Sequence, residues 1–339
     1  MNISEILDGF RLLSNSEKEA VIEKLNILWG SSEGQLKQVL DEVVSSSHKN
    51  MACPHCQSEK TQKRGKSGTI QKFSCKACGK FYRLTSGTAL YYIKKKDSWH
   101  GYLKLMEEGA SIRRAAKELG ISMQTSFDWR HKILSSLQGA LPTKVGGIVE
   151  CDELQIAYSE KGVKQTERKP RKRGNDSTKK ETDKVLVVTA VSRGKESVAS
   201  IVKGKKLSKL GASKALAGKL DPETVMITDE CSSYKTVAME QPTITHKTIN
   251  SKNNRTQKPL ENIHLQTVNN QHKQIREFLQ PFNGVATKYL ANYINWLLYK
   301  QLNKNRIDKI KIAMFHTLLQ VNALEFFSKI INSETLIRT

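Results

Sequence analysis

Acidic residues are scarce in this chain relative to basic ones. Its 339 residues hold 33 Asp and Glu against 56 Lys and Arg, for a formal net charge of +23. A field of that strength excludes an ordinary near-neutral surface and attracts polyanions, nucleic acid foremost; a supercharged or ribosome-associated surface is the plainer alternative. Long apolar runs are also missing. No stretch approaches the roughly 18 residues that a membrane span requires, so no membrane partner is expected. The start, Met1-Asn2-Ile3-Ser4-Glu5, lacks the basic opening and apolar core of an export signal, which leads us to expect a cytoplasmic, nucleoid-associated protein. Cysteines number six, and four of them fall in two tight pairs. In a reducing compartment that pattern excludes a disulfide framework and favours a metal site. Cys151 and Cys231 stand alone and read as small buried apolar residues.

The length exceeds what one hydrophobic core serves, so two or three domains are expected. Residues 1–47 read as an N-terminal helical segment: Ile6, Leu7, Phe10, Leu12 and Leu13, then Val21, Ile22, Leu25 and Leu28 recur at helical spacing until Gly30-Ser31-Ser32 breaks them. A cysteine module follows at 48–92 and a helical stretch at 97–138. From Val145 the texture becomes β-branched. Strands are expected at Val145–Val149, Leu154–Tyr158, Val185–Val191, Ser197–Val202 and Thr224–Thr228, with a weaker one at Thr243–Thr248. Helices are expected at Ser208–Leu220, Ser232–Met239, Leu265–Leu279 and from Lys288 onward, giving one domain over 145–300 and a helical tail over 301–339. Within it, Lys161–Lys184 is almost devoid of apolar residues and reads as a solvated loop. Its Lys169, Arg171, Lys172 and Arg173 suit DNA phosphates, with plain solvation as the alternative.

Cys53-Pro54-His55-Cys56 and Cys75-Lys76-Ala77-Cys78 are two C-x₂-C knuckles separated by 18 residues. Each such turn sets two thiolates on one side of an ion, and two turns close a tetrahedron. A zinc ribbon is expected, its Zn²⁺ structural because four cysteines leave no position for water. His55 reads as a bystander. Lys60, Lys63, Arg64, Lys66 and Lys72 between the knuckles favour phosphate contact over protein docking.

Glu108 to Ser122 reads as the first half of a helix-turn-helix: a small-residue helix ending at Gly120, an apolar plug at Ile121, and an N-cap at Ser122. Met123–Leu134 would then be the recognition helix, with Gln124, Thr125 and Ser126 suited to base edges and Arg130 and Lys132 to phosphates. A pair of ordinary core helices is the bland alternative.

Two apolar strands end in acids: Val145-Gly146-Gly147-Ile148-Val149-Glu150-Cys151-Asp152-Glu153 and Thr224-Val225-Met226-Ile227-Thr228-Asp229-Glu230. Carboxylates at neighbouring strand ends can hold two Mg²⁺ ions about 4 Å apart for in-line phosphoryl displacement. The order of strand with acid, further strands, helix, strand with acid, helix fits an RNase H-like domain with a mixed sheet. A third ligand is then expected near the start of Leu265–Leu279.

Three motifs carry a resemblance: Val149-Glu150-Cys151-Asp152-Glu153, Ile227-Thr228-Asp229-Glu230 with Ser233-Tyr234, and His264-Leu265-Gln266-Thr267-Val268-Asn269 followed by Phe282 to Leu290. With the cysteine module, roughly residues 50–300 resemble the insertion-sequence transposases of the fifteen-ninety-five family. The resemblance implies a multidomain α+β chain: N-terminal helices, zinc ribbon, helix-turn-helix and an RNase H-like catalytic domain. It implies Asp152, Asp229 and Asn269 as catalytic ligands of Mg²⁺, with Mn²⁺ a possible substitute. The partners it implies are the element's terminal inverted repeats, target DNA, and a second copy in a homodimer or larger assembly. Glu261 and Glu277 stay open as third ligands, and Glu153 and Glu230, facing away in strands, as secondary ones. His264 and His272 suit either phosphate or the core. Because Asn269 brings no charge, a DNA-binding regulator that has lost catalysis is the second reading.

Overall fold

The structure, a computed structural model, describes residues 52–67, 70–83, 85–162, 184–249, 263–306 and 309–319. The helical segment expected at 1–47, the basic residues Lys169, Arg171, Lys172 and Arg173, and the tail beyond 319 lie outside the described residues. The chain divides into two compact units, with described residues 52–127 and 309–319 in the first and 128–306 in the second.

The first unit opens on a three-stranded antiparallel sheet, β1 (Thr61–Ser67), β2 (Ile70–Cys75) and β3 (Phe81–Arg83), in that order. Phe73 and Tyr82 stack across β2 and β3 with ring centroids 5.4 Å apart. Helices α1 (Ser98–Glu107) and α2 (Ile112–Glu118) follow, then α3 (Met123–Leu137), inside which the division between units falls. Glycine sets both turns. Gly109 (φ 78°) and Gly120 (φ 58°) take the left-handed conformation. Past them Ala110 N–H donates to Leu105 O at 2.8 Å and Ile121 N–H to Ala116 O at 3.0 Å, closing the orphan carbonyls of each helix end. Ser111 caps α2 through Arg114 N–H at 3.1 Å, and Ser122 caps α3 through Thr125 N–H at 3.0 Å. Trp99, Tyr102, Leu105, Met106 and Ala115 are buried beneath these turns. Helix α8 (Lys309–Leu319) packs on α1, where Trp99 Nε1 donates to Thr317 Oγ1 at 3.2 Å.

The second unit is built on a five-stranded mixed sheet. β4 (Ile148–Ala157), β5 (Lys184–Ser192) and β6 (Ser197–Lys203) pair antiparallel; β7 (Val225–Asp229) and β8 (Thr245–Ile249) run parallel to β4, in the order β6-β5-β4-β7-β8. Helix α4 (Lys209–Leu216) lies between β6 and β7 and α5 (Ser232–Glu240) between β7 and β8, and α6 (Gln266–Leu279) and α7 (Thr287–Leu302) follow the sheet.

One expectation changes. The runs at Val145–Val149 and Leu154–Tyr158 form a single strand, β4, and Val145 itself only bridges to Leu220 ahead of the Gly147 turn (φ 75°). The acids between the runs do not break the strand, because alternation sends them to opposite faces where each meets a partner. Val149 and Cys151 join the core with Met226 and Tyr234 on one face. Leu154 joins Val185, Val187, Ile275, Leu290 and Ile294 on the other. So β4, the middle strand of five, packs apolar side chains on both of its faces between Val149 and Leu154.

Leu154, 1% exposed, lies among side chains of β5, α6 and α7. Leu154→Ala should destabilise the second unit by about 2–5 kcal/mol through lost transfer energy and the cavity left behind. Chemical denaturation followed by fluorescence measures this.

Candidate active site

The register of β4 on β7 brings the two aspartates together. Ile148 pairs with Val225, Val149 with Met226 and Glu150 with Ile227. Two residues further along both strands stand Asp152 and Asp229, level with each other and on the same face by the two-residue period of a strand. Both are half-buried. Asp152 Oδ1 accepts from Glu153 N–H at 2.8 Å, and Asp229 Oδ1 accepts from Cys231 N–H at 3.1 Å at the entry to α5.

Burial, followed by the charge of Asp229, pushes the Asp152 carboxyl up to about 6, against the lowering effect of the Glu153 N–H. His272 of α6 lies across from it, Nδ1 to Asp152 Oδ2 at 3.7 Å, and its Nε2 meets Thr189 Oγ1 at 2.5 Å. Distance alone would make an ion pair of His272 and Asp152. Burial, helped by Arg276, instead holds the imidazole down at about 4, so the ring is neutral at pH 7 and adds no charge to the site. At 3.7 Å the contact is also too long for a charge-assisted hydrogen bond.

Asn269 sits one helical turn before His272, on the same face of α6, and is exposed. The competing Glu277 lies eight residues beyond Asn269, about 12 Å along the axis, exposed and 3.8 Å from Lys273. Glu261 is outside the described residues. Glu153 faces the opposite side of β4, where its Oε2 accepts from the Tyr234 hydroxyl at 2.9 Å; burial raises both groups. Glu230 is exposed beside Asp229. Asp152, Asp229 and Asn269 thus offer oxygen donors of the kind that hard divalent cations prefer.

Sequence reasoning passed over Glu150. Its carboxylate is 0% exposed, accepts three hydrogen bonds from α6, pairs with Arg193, and has His264 beside it. Thr267 N–H and Val268 N–H donate to Oε2 at 2.7 and 3.1 Å. Thr267 Oγ1 donates to Oε1 at 2.8 Å, with His264 Nδ1 at 3.1 Å and Arg193 Nε at 3.3 Å. The available signal was a glutamate two residues before Asp152, hence on its face, inside an otherwise apolar strand.

A second cluster lies in the first unit. The sulfurs of Cys53, Cys56, Cys75 and Cys78 all fall within 4.8 Å of one another, with Cys53 to Cys78 at 3.7 Å and Cys56 to Cys75 at 3.6 Å. A tetrahedron with metal–sulfur bonds of about 2.3 Å has edges near 3.8 Å, so the four thiols fit such an ion. The knuckles are set by their backbone: Gln57 N–H donates to Cys53 O at 2.8 Å and Gly79 N–H to Cys75 O at 3.0 Å. The backbone N–H of Cys78 pulls the Cys75 thiol down to about 6, while Cys56, against the lowering pull of the Ser58 backbone, is pushed up to about 12 by burial and the neighbouring thiols.

The side chains expected at DNA divide. Gln124 is exposed and Thr125 half-buried at the start of α3. Lys132 is half-buried, and burial lowers its pKa. Ser126 and Arg130 correct the expectation. Ser126 is fully buried, donating to Ile112 O at 2.9 Å and meeting the Tyr102 hydroxyl at 3.0 Å. Arg130 is 1% exposed, with its guanidinium 5.4 Å over the Trp296 ring. Both lie on the packed face of α3, which a polar residue type does not reveal.

Because the fold raises the Asp152 pKa, the folded state holds more protons than the unfolded one between about pH 4 and 6. Asp152 therefore favours folding at low pH, and that contribution is lost as pH rises through about 6. Metal-free Asp152→Asn should melt higher than wild type at pH 7, with the difference closing near pH 4; thermal melts at both pH values measure it.

Residues 144–301 match the ISXO2-like transposase domain family. No curated protein matches the sequence. Three solved complexes of the Mos1 transposase are similar at low identity. The strand transfer complex is 12% identical over 60% of this chain and 76% of that one, with a TM-score of 0.23. The paired-end complex with the left transposon end is 11% identical over 60% and 76%, with a TM-score of 0.24. A pre-cleavage transpososome is 10% identical over 60% and 77%, also at 0.24. The family match extends from just before β4 to the end of α7, taking in both aspartates, Glu150 and Asn269, and makes residues 144–301 a transposase domain of the fifteen-ninety-five insertion-sequence family.

Proposed function

We propose that this transposase binds the terminal inverted repeats of its own element and performs metal-dependent strand cleavage followed by strand transfer. The observation that carries the reading is the level, same-face placement of Asp152 and Asp229 on adjoining parallel strands. The strand order, three antiparallel strands then two parallel ones with acids on β4 and β7 and a helix after, supports an RNase H-like catalytic domain.

Asp152, Asp229 and Asn269 would hold Mg²⁺, or Mn²⁺ in its place. A bound ion there supplies positive charge that activates the attacking water or 3′-hydroxyl and offsets charge on the leaving oxygen. The remaining work belongs to the chain itself. Asp152 must be deprotonated to serve, which its pKa near 6 permits at neutral pH. His272, neutral, packs beside Asp152 without competing as a cation. Asn269 contributes a carbonyl oxygen and no charge, which limits the negative charge facing an incoming phosphodiester.

The four-cysteine cluster fits a structural Zn²⁺, and the start of α3, with Gln124 exposed and Thr125 half-buried, suits base edges in a major groove. The zinc ribbon and a helix-turn-helix formed by α2 and α3 are the proposed end-binding elements. Lys132 and the basic residues Lys169, Arg171, Lys172 and Arg173 are proposed phosphate contacts. Joining two ends calls for a homodimer or larger assembly on DNA.

Two outcomes are expected. Asp152→Ala and Asp229→Ala should each abolish cleavage and joining of a labelled element end with Mg²⁺ while retaining end binding, and Asn269→Ala should lower the rate by about 10–100-fold, the scale of a lost metal-site partner. End binding by all proteins with no cleavage by wild type, Mn²⁺ included, would instead support the regulator reading. Separately, Cys75→Ser or stripping with a strong chelator should release zinc and weaken end binding, read by metal analysis and gel shift; retained binding in zinc-free protein would contradict the ribbon's role.

A further inference from the structure

The N-cap residue of helix α6 supplies no cap, and the local acceptor is His264 Nδ1, a long 3.4 Å from Gln266 N–H. That N-cap position is Leu265, which has no side-chain acceptor, and no acid lies in the first turn of the helix. Four backbone N–H groups at a helix start need partners, and the helix dipole favours negative charge there. For the next two N–H groups, and for the dipole, the partner comes from another element. Glu150 of β4 accepts from Thr267 N–H at 2.7 Å and Val268 N–H at 3.1 Å, and from the Thr267 hydroxyl at 2.8 Å. Arg193 and His264 flank the same carboxylate.

Glu150 and Asp152 are two residues apart on one face of β4, about 7 Å along the strand. Helix α6 makes polar contact with that face at two places: at Thr267 and Val268, through Glu150, and at His272, 3.7 Å from Asp152. Asn269 lies between those two anchors, two residues after Thr267 and three before His272. We infer that Glu150 is a positioning residue, a cap supplied in trans that fixes where Asn269 stands relative to Asp152 and Asp229. The inference rests on the metal-dependent reading above and deepens it. Glu150 is not itself a ligand here, because its oxygens are already occupied by donors from α6 and by Arg193.

The test uses full-length protein with Mn²⁺ as probe and two readouts besides cleavage: Mn²⁺ affinity by calorimetry and amide exchange at the start of α6. Glu150→Ala should weaken Mn²⁺ binding by about 10–100-fold, as loss of a ligand's supporting partner does. It should also speed exchange at Thr267 and Val268 by about fivefold to tenfold, as loss of a helix cap does, with end-DNA affinity unchanged. If Glu150→Ala does not fold, Glu150→Gln, which keeps one acceptor oxygen, carries the same test at smaller amplitude. Adding Leu265→Ser to Glu150→Gln gives α6 a local cap and should recover Mn²⁺ affinity, a rescue that a general packing role would not show.

Unchanged Mn²⁺ affinity in a folded Glu150→Ala would overturn the inference. So would loss of affinity as complete as in Asp152→Ala with the α6 amides still protected, which would make Glu150 a ligand. Failure of wild type itself to bind Mn²⁺ would overturn the metal reading and this role with it, and is distinguished by appearing before any substitution is made.

Discussion

A strand covered on both faces can carry a carboxylate only where something answers its charge, because an unpaired buried charge is strongly destabilising. β4 lies in the middle of the five-stranded sheet and bears three acids within four residues. Glu150 is answered by the N-terminus of α6, and Glu153 by the hydroxyl of Tyr234 on the other face. Asp152 receives one backbone N–H, a neutral imidazole at 3.7 Å and the repulsion of Asp229, and its pKa climbs to about 6. The chain leaves its charge incompletely compensated, as burial also does for Glu153 on the opposite face, and perturbation of this kind is common at functional sites.

The same constraint explains how a helix from late in the chain is brought to a strand from the middle of it. Apolar contacts of Ile275 with Leu154, Val185 and Val187 hold the body of α6 on the sheet. Such contacts tolerate sliding and rotation. Hydrogen bonds from Thr267 and Val268 to a buried carboxylate do not, since slipping by one residue would strand the charge. Specific register near the site therefore comes from polar contacts and general adhesion from the core.

Much of this was legible in the sequence, and what was legible shares a physical basis. The knuckle spacing Cys53–Cys56 and Cys75–Cys78 is dictated by coordination geometry, which acts over a few residues. The helix ends at Gly109 and Gly120 follow from local backbone preference, and β5 and β6 from β-branched runs. Alternation along β4 was enough to turn Glu153 away from Asp152. What escaped was decided at a distance. Whether Ser126 or Arg130 faces solvent depends on what packs against α3, and nothing in either residue type records that. The splitting of β4 into two runs came from reading its acids as a strand end, when partners 80 or more residues away sustain them inside it. Glu150 went unnoticed for the same reason: its meaning lies in Thr267 and Val268, more than a hundred positions on.

The most direct measurement is the anomalous scattering of Mn²⁺ in crystals of the full chain. The account predicts a peak within about 2.2 Å of side-chain oxygens of Asp152, Asp229 and Asn269, with Glu150 still bonded to Thr267 and Val268. A peak coordinated by Glu150 or Glu153 in place of Asn269, or no peak beside the two aspartates at saturating Mn²⁺, would contradict it.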